Sequence, residues 1–303
     1  LSSSDGEHSA TIYLFGATVT SWKDRRKECL FVSTKAQMDG KKAIRGGIPL
    51  VFPQFGAKPI TKRSKMSQHG FARSSMWKYC EKESSANENN ATAVFRLNPS
   101  KETRDVWSHE FALKYTVTLR VGQLHTVLSC SNTDNEAYDI QALLHTYLRV
   151  NSIFSTQVSG LQGRKYLDQL SGPSTALHTE SDEYVSIECE VDRIMLAPNG
   201  SHHKASSKDP VIDDVDSDND VIICDNRKPS TYVEKRVRLS TPATDCDEPD
   251  LISALPCDVV FWNAWDKKCE RLPDMDNKAY ESYVCIEPAA GIHKPISLAV
   301  GNT

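Results

Sequence analysis

The residues in this chain best suited to moving protons lie far apart in sequence, in two strand-like segments. His145 sits in "LLHTYLRV" and Glu287 in "SYVCIEPAAG". If both segments are extended, alternation puts His145, Tyr147 and Arg149 on one face of the first, and Tyr283, Cys285 and Glu287 on one face of the second. Histidine and glutamate, with ordinary pKa values of about 6.5 and about 4.3, make a competent acid–base pair near neutral pH, because burial can tune both. A lone strand histidine is more often structural than catalytic; the second titratable group on a similar strand changes the balance. A carboxylate at the end of a buried strand is costly unless it is paired or used, and Pro288 is expected to end the ladder just after it.

A third feature lies near the amino end. "IRGGIPLVFPQFG", residues 44–56, and "QHGFAR" from residue 68 combine adjacent glycines, prolines and two arginines, the signature of a rigid loop that exposes its backbone. Lys58, Lys62, Arg63, Lys65 and Arg73 make this region basic within a chain of net charge −4. The lysines read as a solvated face. Arg45 and Arg73 differ, because each flanks glycine-containing sequence where backbone can approach a ligand, and their guanidinium forks suit phosphate.

Competing motifs fail on detail. Asp214, Asp216, Asp218 and Asp220 have the spacing that opens a calcium loop, but Asn219 stands where the turn needs glycine and Asp225 where it needs a bidentate glutamate. His202 and His203 have no third ligand placed by spacing. The chain has no GxSxG elbow, P-loop or GxGxxG.

The elements that must position these residues read as β. Short segments rich in β-branched and aromatic residues, "ATIYLFGATVTSW", "CLFVS", "TAVFRL", "FALKYTVTLRV", "LHTVLSCS", "ALLHTYLRV", "DVVFWNAW" and "SYVCIEP", recur between turn residues. They predict an all-β fold, a large antiparallel β-sandwich with one or two short helices. The clearest helix is "SKETRDVWSHEF", with Ser100 as its cap. The 303 residues are expected to form a single domain over 1–303, since strand-like sequence resumes after both polar insertions, near 199–220 and 241–256.

Net charge −4 and a pI near 6.2 argue against a general nucleic-acid or anionic-membrane surface. Nine cysteines, odd in number and without CxxC pairs, read as reduced thiols and predict a cytoplasmic location. No apolar run reaches the roughly 18 residues a span needs, and "LSSSDGEHSA" is too polar for a signal peptide. Asn90-Ala-Thr and Asn199-Gly-Ser match a glycosylation pattern short enough to arise by chance.

Taken together, "KAIRGGIPLVFPQFG" with "QHGFAR", "LLHTYLRV", and "FWNAW" with "VCIEP" resemble the glucose-6-phosphate 1-epimerase branch of the aldose 1-epimerase superfamily. "GLQGRKYLDQL" and "VDRIML" resemble further pieces of it, in the same order, over about residues 10–298. The resemblance implies a galactose mutarotase-like β-sandwich that interconverts the anomers of a hexose 6-phosphate, with no metal or organic cofactor; separately, the chain is expected to act as a monomer. It implies His145 as general acid and Glu287 as general base, with Arg45, Gln68 and Arg73 near the phosphate and His69 and Asp192 orienting the sugar. One departure is Ala264, where the family usually has proline, which implies a looser strand end. Left open are an epimerase of free aldoses, which would not need the arginine loop, and a non-catalytic carbohydrate-binding sandwich, which would not need the acid–base pair. Hydrolase or lyase chemistry would require paired carboxylates or an additional base, which the sequence does not place.

Overall fold

A computed structural model describes residues 1–57, 66–87, 90–172, 176–197 and 257–303, and the backbone of the strands Asp220–Asp225 and Val233–Arg238. The four loop cations from Lys58 to Lys65, His202, His203, Asn199 and nearly all of both predicted insertions lie outside the described residues.

Two sheets matter for the site. One has five strands, built on Asn90–Leu97, Phe111–Arg120 and Gln123–Asn132, all antiparallel. In its central strand Phe111, Leu113, Tyr115, Val117 and Leu119 are buried and the residues between them are half-buried. That alternation marks a sheet with one face on the core and the other toward solvent. The larger sheet has eight strands and runs from Leu177–Thr179 through Lys165–Asp168, Val191–Met195, Asp258–Asn263 and Tyr283–Ala290 to Ala142–Leu144 and Leu50–Val51. Tyr147–Arg149 also pairs with Tyr283–Ala290. Its central strands, "DVVFWN" and "YVCIEPAA", are buried on both faces, so their sequences read as nearly continuous apolar runs.

The two faces of this large sheet serve different clusters. Leu50, Leu148, Val191, Met195, Val259, Phe261, Val284 and Ile286 pack against Phe95, Leu97, Leu113, Tyr115 and Val117 of the five-stranded sheet, forming the core of the sandwich. Val51, Leu143, Tyr147, Ile194, Val260, Trp262, Cys285 and Ala289 form a second cluster on the opposite face. The site lies on that second face.

The helix Lys101–Val106 begins as expected, with the Ser100 hydroxyl accepting from Thr103 N–H and the Thr103 hydroxyl accepting from Ser100 N–H. Four expectations need correction. "CLFVS" forms only isolated bridges, because its backbone is divided between Tyr147 on one side and Arg45 to Gly47 on the other. "FWNAW" leaves the sheet at Asn263 and enters a helix, Trp265–Arg271. The Asn263 side chain dictates this turn, accepting from Trp265 N–H (2.8 Å) and donating to the carbonyls of Tyr280 (3.0 Å) and Tyr283 (2.8 Å). Ala264 is fully buried and its N–H donates to the Tyr283 hydroxyl at 3.3 Å, so this strand end is held firmly. Finally, Pro288 does not end its strand, which continues to Ala290.

Candidate active site

The glycine-rich loop sets the position of the histidine. Gly46 and Gly47 have φ of 112° and 70°, and a Cβ would stand 2.4 Å from the Phe31 carbonyl oxygen at Gly46 and 2.1 Å from that of Val19 at Gly47. Only glycine fits both the dihedrals and the space. The close approach lets the Gly47 carbonyl accept from Tyr147 N–H (2.9 Å) and the Pro49 carbonyl accept from His145 N–H (3.0 Å).

The segment around His145 is not one strand. It breaks between Leu144 and Tyr147, where Thr146 N–H turns back to the Leu144 carbonyl at 2.7 Å, a three-residue γ-turn centred on His145. Pairing with the Tyr283–Ala290 strand keeps the same register on both sides of the break, Leu143 opposite Ala289 and Tyr147 opposite Cys285. His145 therefore falls opposite Glu287. The placement of Pro288 follows from the same geometry. Ile286 N–H points toward this turn, bonding the Thr146 carbonyl at 3.3 Å, and residue 288 points the same way. A proline there removes a donor only where the ladder is already open, while Val259 still pairs with Pro288 on the other side.

His145 Nδ1 and Glu287 Oε1 lie 3.1 Å apart, but they are not aligned as a hydrogen bond. His145 Nδ1 and Glu287 Oε2 are both buried without a hydrogen-bond partner. Glu287 is 1% exposed and His145 8%. Burial holds Glu287 well above the usual carboxylate range, with the charge of Asp192 adding to the rise and Arg73 opposing it. Burial likewise holds His145 well below the usual imidazole range, followed by His69, Arg73 and Arg45. Both shifts act against the charged forms of the two residues.

Tyr147 stacks on His145, with ring centroids 4.7 Å apart and planes within 7°, and Trp262 meets His145 edge-on at 5.7 Å. The Tyr147 hydroxyl accepts from Arg45 Nη1 at 3.3 Å, and Arg45 Nε donates to Asp274 Oδ1 at 3.1 Å. Arg73 donates through Nη2 to the Gln68 carbonyl at 2.8 Å. Burial draws it down to about 10, so it remains a cation at neutral pH. His69 Nδ1 accepts from Gly56 N–H at 3.2 Å, and its Nε2 faces the Gln68 amide at 3.2 Å. Burial, with Arg73 and Arg45, pushes His69 down to about 3, so its ring is neutral. Asp192 accepts from Gln169 Nε2 at 2.8 Å and lies 3.5 Å from Lys268 Nζ; burial raises its pKa and Lys268 opposes the rise.

All seven residues singled out in the sequence come together, linked by these bonds or by the charges each places on its neighbours. Missed were the roles of Tyr147, Trp262, Asp274 and Lys268. Tyr147 was on the correct face two residues from His145, so alternation carried the signal; Asp274 and Lys268 sit in a turn and on a short helix, where no spacing pointed to them. Among the described residues two groups of three could hold a metal ion, His145 with Cys285 and Glu287, and His109 with Asp134 and Glu136. No helix among the described residues is long and apolar enough to cross a membrane.

A family model described as aldose 1-epimerase matches residues 1–233. A protein from Cenchrus ciliaris named "Putative glucose-6-phosphate 1-epimerase" is 34% identical over 300 residues, covering 97% of this chain and 78% of that one. Among solved structures, a "putative mutarotase" from Salmonella typhimurium superposes with a TM-score of 0.72 at 22% identity, over 97% of this chain and 83% of that one. A galactose mutarotase related enzyme from Lactobacillus acidophilus gives 0.67 at 15% identity, over 99% and 93%. Both likenesses show the fold, a galactose mutarotase-like β-sandwich.

Proposed function

The chain belongs to the aldose 1-epimerase family, and from that premise we propose that it interconverts the α and β anomers of a hexose 6-phosphate. The observation that carries this reading is the His145–Glu287 pair, two opposed buried residues with Nδ1 and Oε1 3.1 Å apart, within the fields of Arg45 and Arg73. Ring opening takes a proton from the C1 hydroxyl and gives one to the ring oxygen. Both oxygens are bonded to the same carbon, so acid and base must be close together. Glu287 takes the hydroxyl proton and His145 donates to the ring oxygen; rotation about C1–C2 and reclosure with the roles reversed complete the exchange. Each transfer contributes on the order of 10²–10⁴ in rate.

Burial disfavours the charged form of both residues, so catalysis needs the pair drawn toward a protonated histidine and an ionised glutamate. Arg45 and Arg73 are among the charges that hold His145 neutral. A phosphate bound beside them offsets those charges, so the substrate's own anion helps move the proton to His145. Selectivity for the phosphate ester then combines binding with arming of the acid.

The test is the rate of anomer exchange, by NMR saturation transfer or polarimetry, for glucose 6-phosphate and for glucose with catalytic amounts of protein. Acceleration confined to the ester supports the reading. Equal acceleration of both sugars returns the site to a free-aldose epimerase, and no acceleration of either overturns catalysis altogether.

A further inference from the structure

Cys285 takes no part in the chemistry above, yet it lies two residues before Glu287 on the same face of the same strand and is fully buried. Its sulfur, a ring nitrogen of His145 and a carboxylate oxygen of Glu287 lie within 4.8 Å of one another. Two of the three residues also present buried polar atoms with no hydrogen-bond partner, His145 Nδ1 and Glu287 Oε2. Such orphaned atoms are rare, and a cation accepts lone pairs from both kinds.

The donor set limits the cation. One thiol sulfur, one imidazole nitrogen and one carboxylate oxygen suit a thiophilic first-row divalent ion, whereas calcium and magnesium demand six or more oxygens. Zinc sites commonly use three protein ligands and keep the fourth position open. Bonds of about 2.0 to 2.3 Å place tetrahedral ligands on the order of 3.5 Å apart. His145 Nδ1 and Glu287 Oε1 are already near that separation at 3.1 Å, and the thiol completes a set whose ligand atoms all lie within 4.8 Å of one another.

We propose that His145, Cys285 and Glu287 form an inhibitory site for Zn²⁺ or a similar thiophilic divalent cation. Binding releases the thiol and carboxyl protons, and the resulting thiolate and carboxylate balance the two charges of the metal. The buried complex is therefore neutral at its centre, which low-dielectric surroundings favour over any of its separate ions. Because His145 and Glu287 are then ligands, the metal and the sugar's reacting oxygens exclude each other. That consequence rests on the reaction proposed above; metal binding does not.

The experiment adds Co²⁺ to the full chain without substrate and reads the absorption spectrum, then repeats it with Cys285→Ala. The expected result is a thiolate-to-cobalt charge-transfer band with intense four-coordinate d–d bands, displaced by Zn²⁺ and absent from the variant. The exposed thiol of Cys189 remains in both proteins, so the difference isolates Cys285. In the second arm Zn²⁺ slows anomer exchange, a chelator restores it, and Cys285→Ala weakens inhibition on the order of tenfold or more. Absence of the band, or a band that persists in the variant, overturns the site whether or not the protein is an epimerase. Zn²⁺ inhibition unchanged by Cys285→Ala overturns the inhibitory role. If Cys285→Ala does not fold, Glu287→Gln tests the same set, with loss of the d–d intensity expected and its retention fatal to the proposal.

Discussion

From Val284 to Glu287 the two faces of the Tyr283–Ala290 strand are buried to the same degree and put that burial to opposite uses. Val284 and Ile286 are 0% exposed in the sandwich core, among aliphatic and aromatic neighbours. Cys285 and Glu287 are 0% and 1% exposed on the other face, beside a histidine, two arginines and atoms without hydrogen-bond partners. On the first face exclusion of water stabilises the fold. On the second it shifts protonation and costs stability, so one strand separates structure from chemistry by the parity of its residues.

The sharpest way to break this comparison is Glu287→Gln. Anomer exchange should fall on the order of 10³-fold or more, since base and proton reservoir are lost together. Stability should rise at pH 7. Glu287 has a folded pKa above its unfolded one, so its contribution is full below about pH 4.3 and declines as pH climbs toward the folded value. Glutamine removes that decline. Urea unfolding of both proteins at pH 4.5 and 7 checks it; a variant less stable at pH 7 would mean that the carboxylate supports the fold. Ile286→Ala is the mirror experiment, expected to cost about 2–5 kcal/mol while leaving the turnover of folded molecules unchanged. A large loss of turnover there would show that the faces are not independent.

Within the site face, the arginines divide by what already holds them. Arg73 spends one bond on the Gln68 carbonyl, whereas Arg45 is committed to Asp274 and Tyr147. Arg73→Ala should raise KM for glucose 6-phosphate by about 10- to 100-fold, the worth of a charged hydrogen bond, and spare any exchange of free glucose. Arg45→Ala should add a loss of stability, because Asp274, only 17% exposed, is left unpaired. Equal losses on both sugars would remove the phosphate role from either residue.

Much of this division is legible in sequence. Alternation in "SYVCIEPAAG" sorts Val284 and Ile286 from Cys285 and Glu287, and the strict pattern of "FALKYTVTLR" yields the solvent-facing sheet. The break at His145 is not legible, because "LLHTYLRV" reads as one unbroken strand, whereas Thr146 N–H bonds the Leu144 carbonyl within its own segment. Pro288 is misleading for the same reason, since whether a proline ends a ladder depends on which side its missing donor faces. The directions in which burial moves the pKa values of His145 and Glu287 are also beyond the sequence, because they depend on depth of burial. Gly46 and Gly47 were read as backbone exposed to a ligand; their glycine requirement comes from the carbonyls of Phe31 and Val19.

The smallest expected effect concerns acid. His69 is buried on the site face and its pKa is depressed to about 3, against about 6.5 in an unfolded chain. A base with a depressed folded pKa contributes stability that is complete above the unfolded value and is lost as pH falls toward the folded one. Between pH 7 and pH 5 the unfolded chain therefore gains a proton at His69 that the folded protein refuses, which lowers stability by about 2 kcal/mol. His69→Gln keeps an acceptor for Gly56 N–H and cannot titrate, so its stability should fall less over the same interval by about that amount. Paired urea titrations at pH 7 and pH 5 measure the difference. An identical fall in both proteins would assign the acid sensitivity to other groups, and would leave His69 on the structural side of the comparison with Val284 and Ile286.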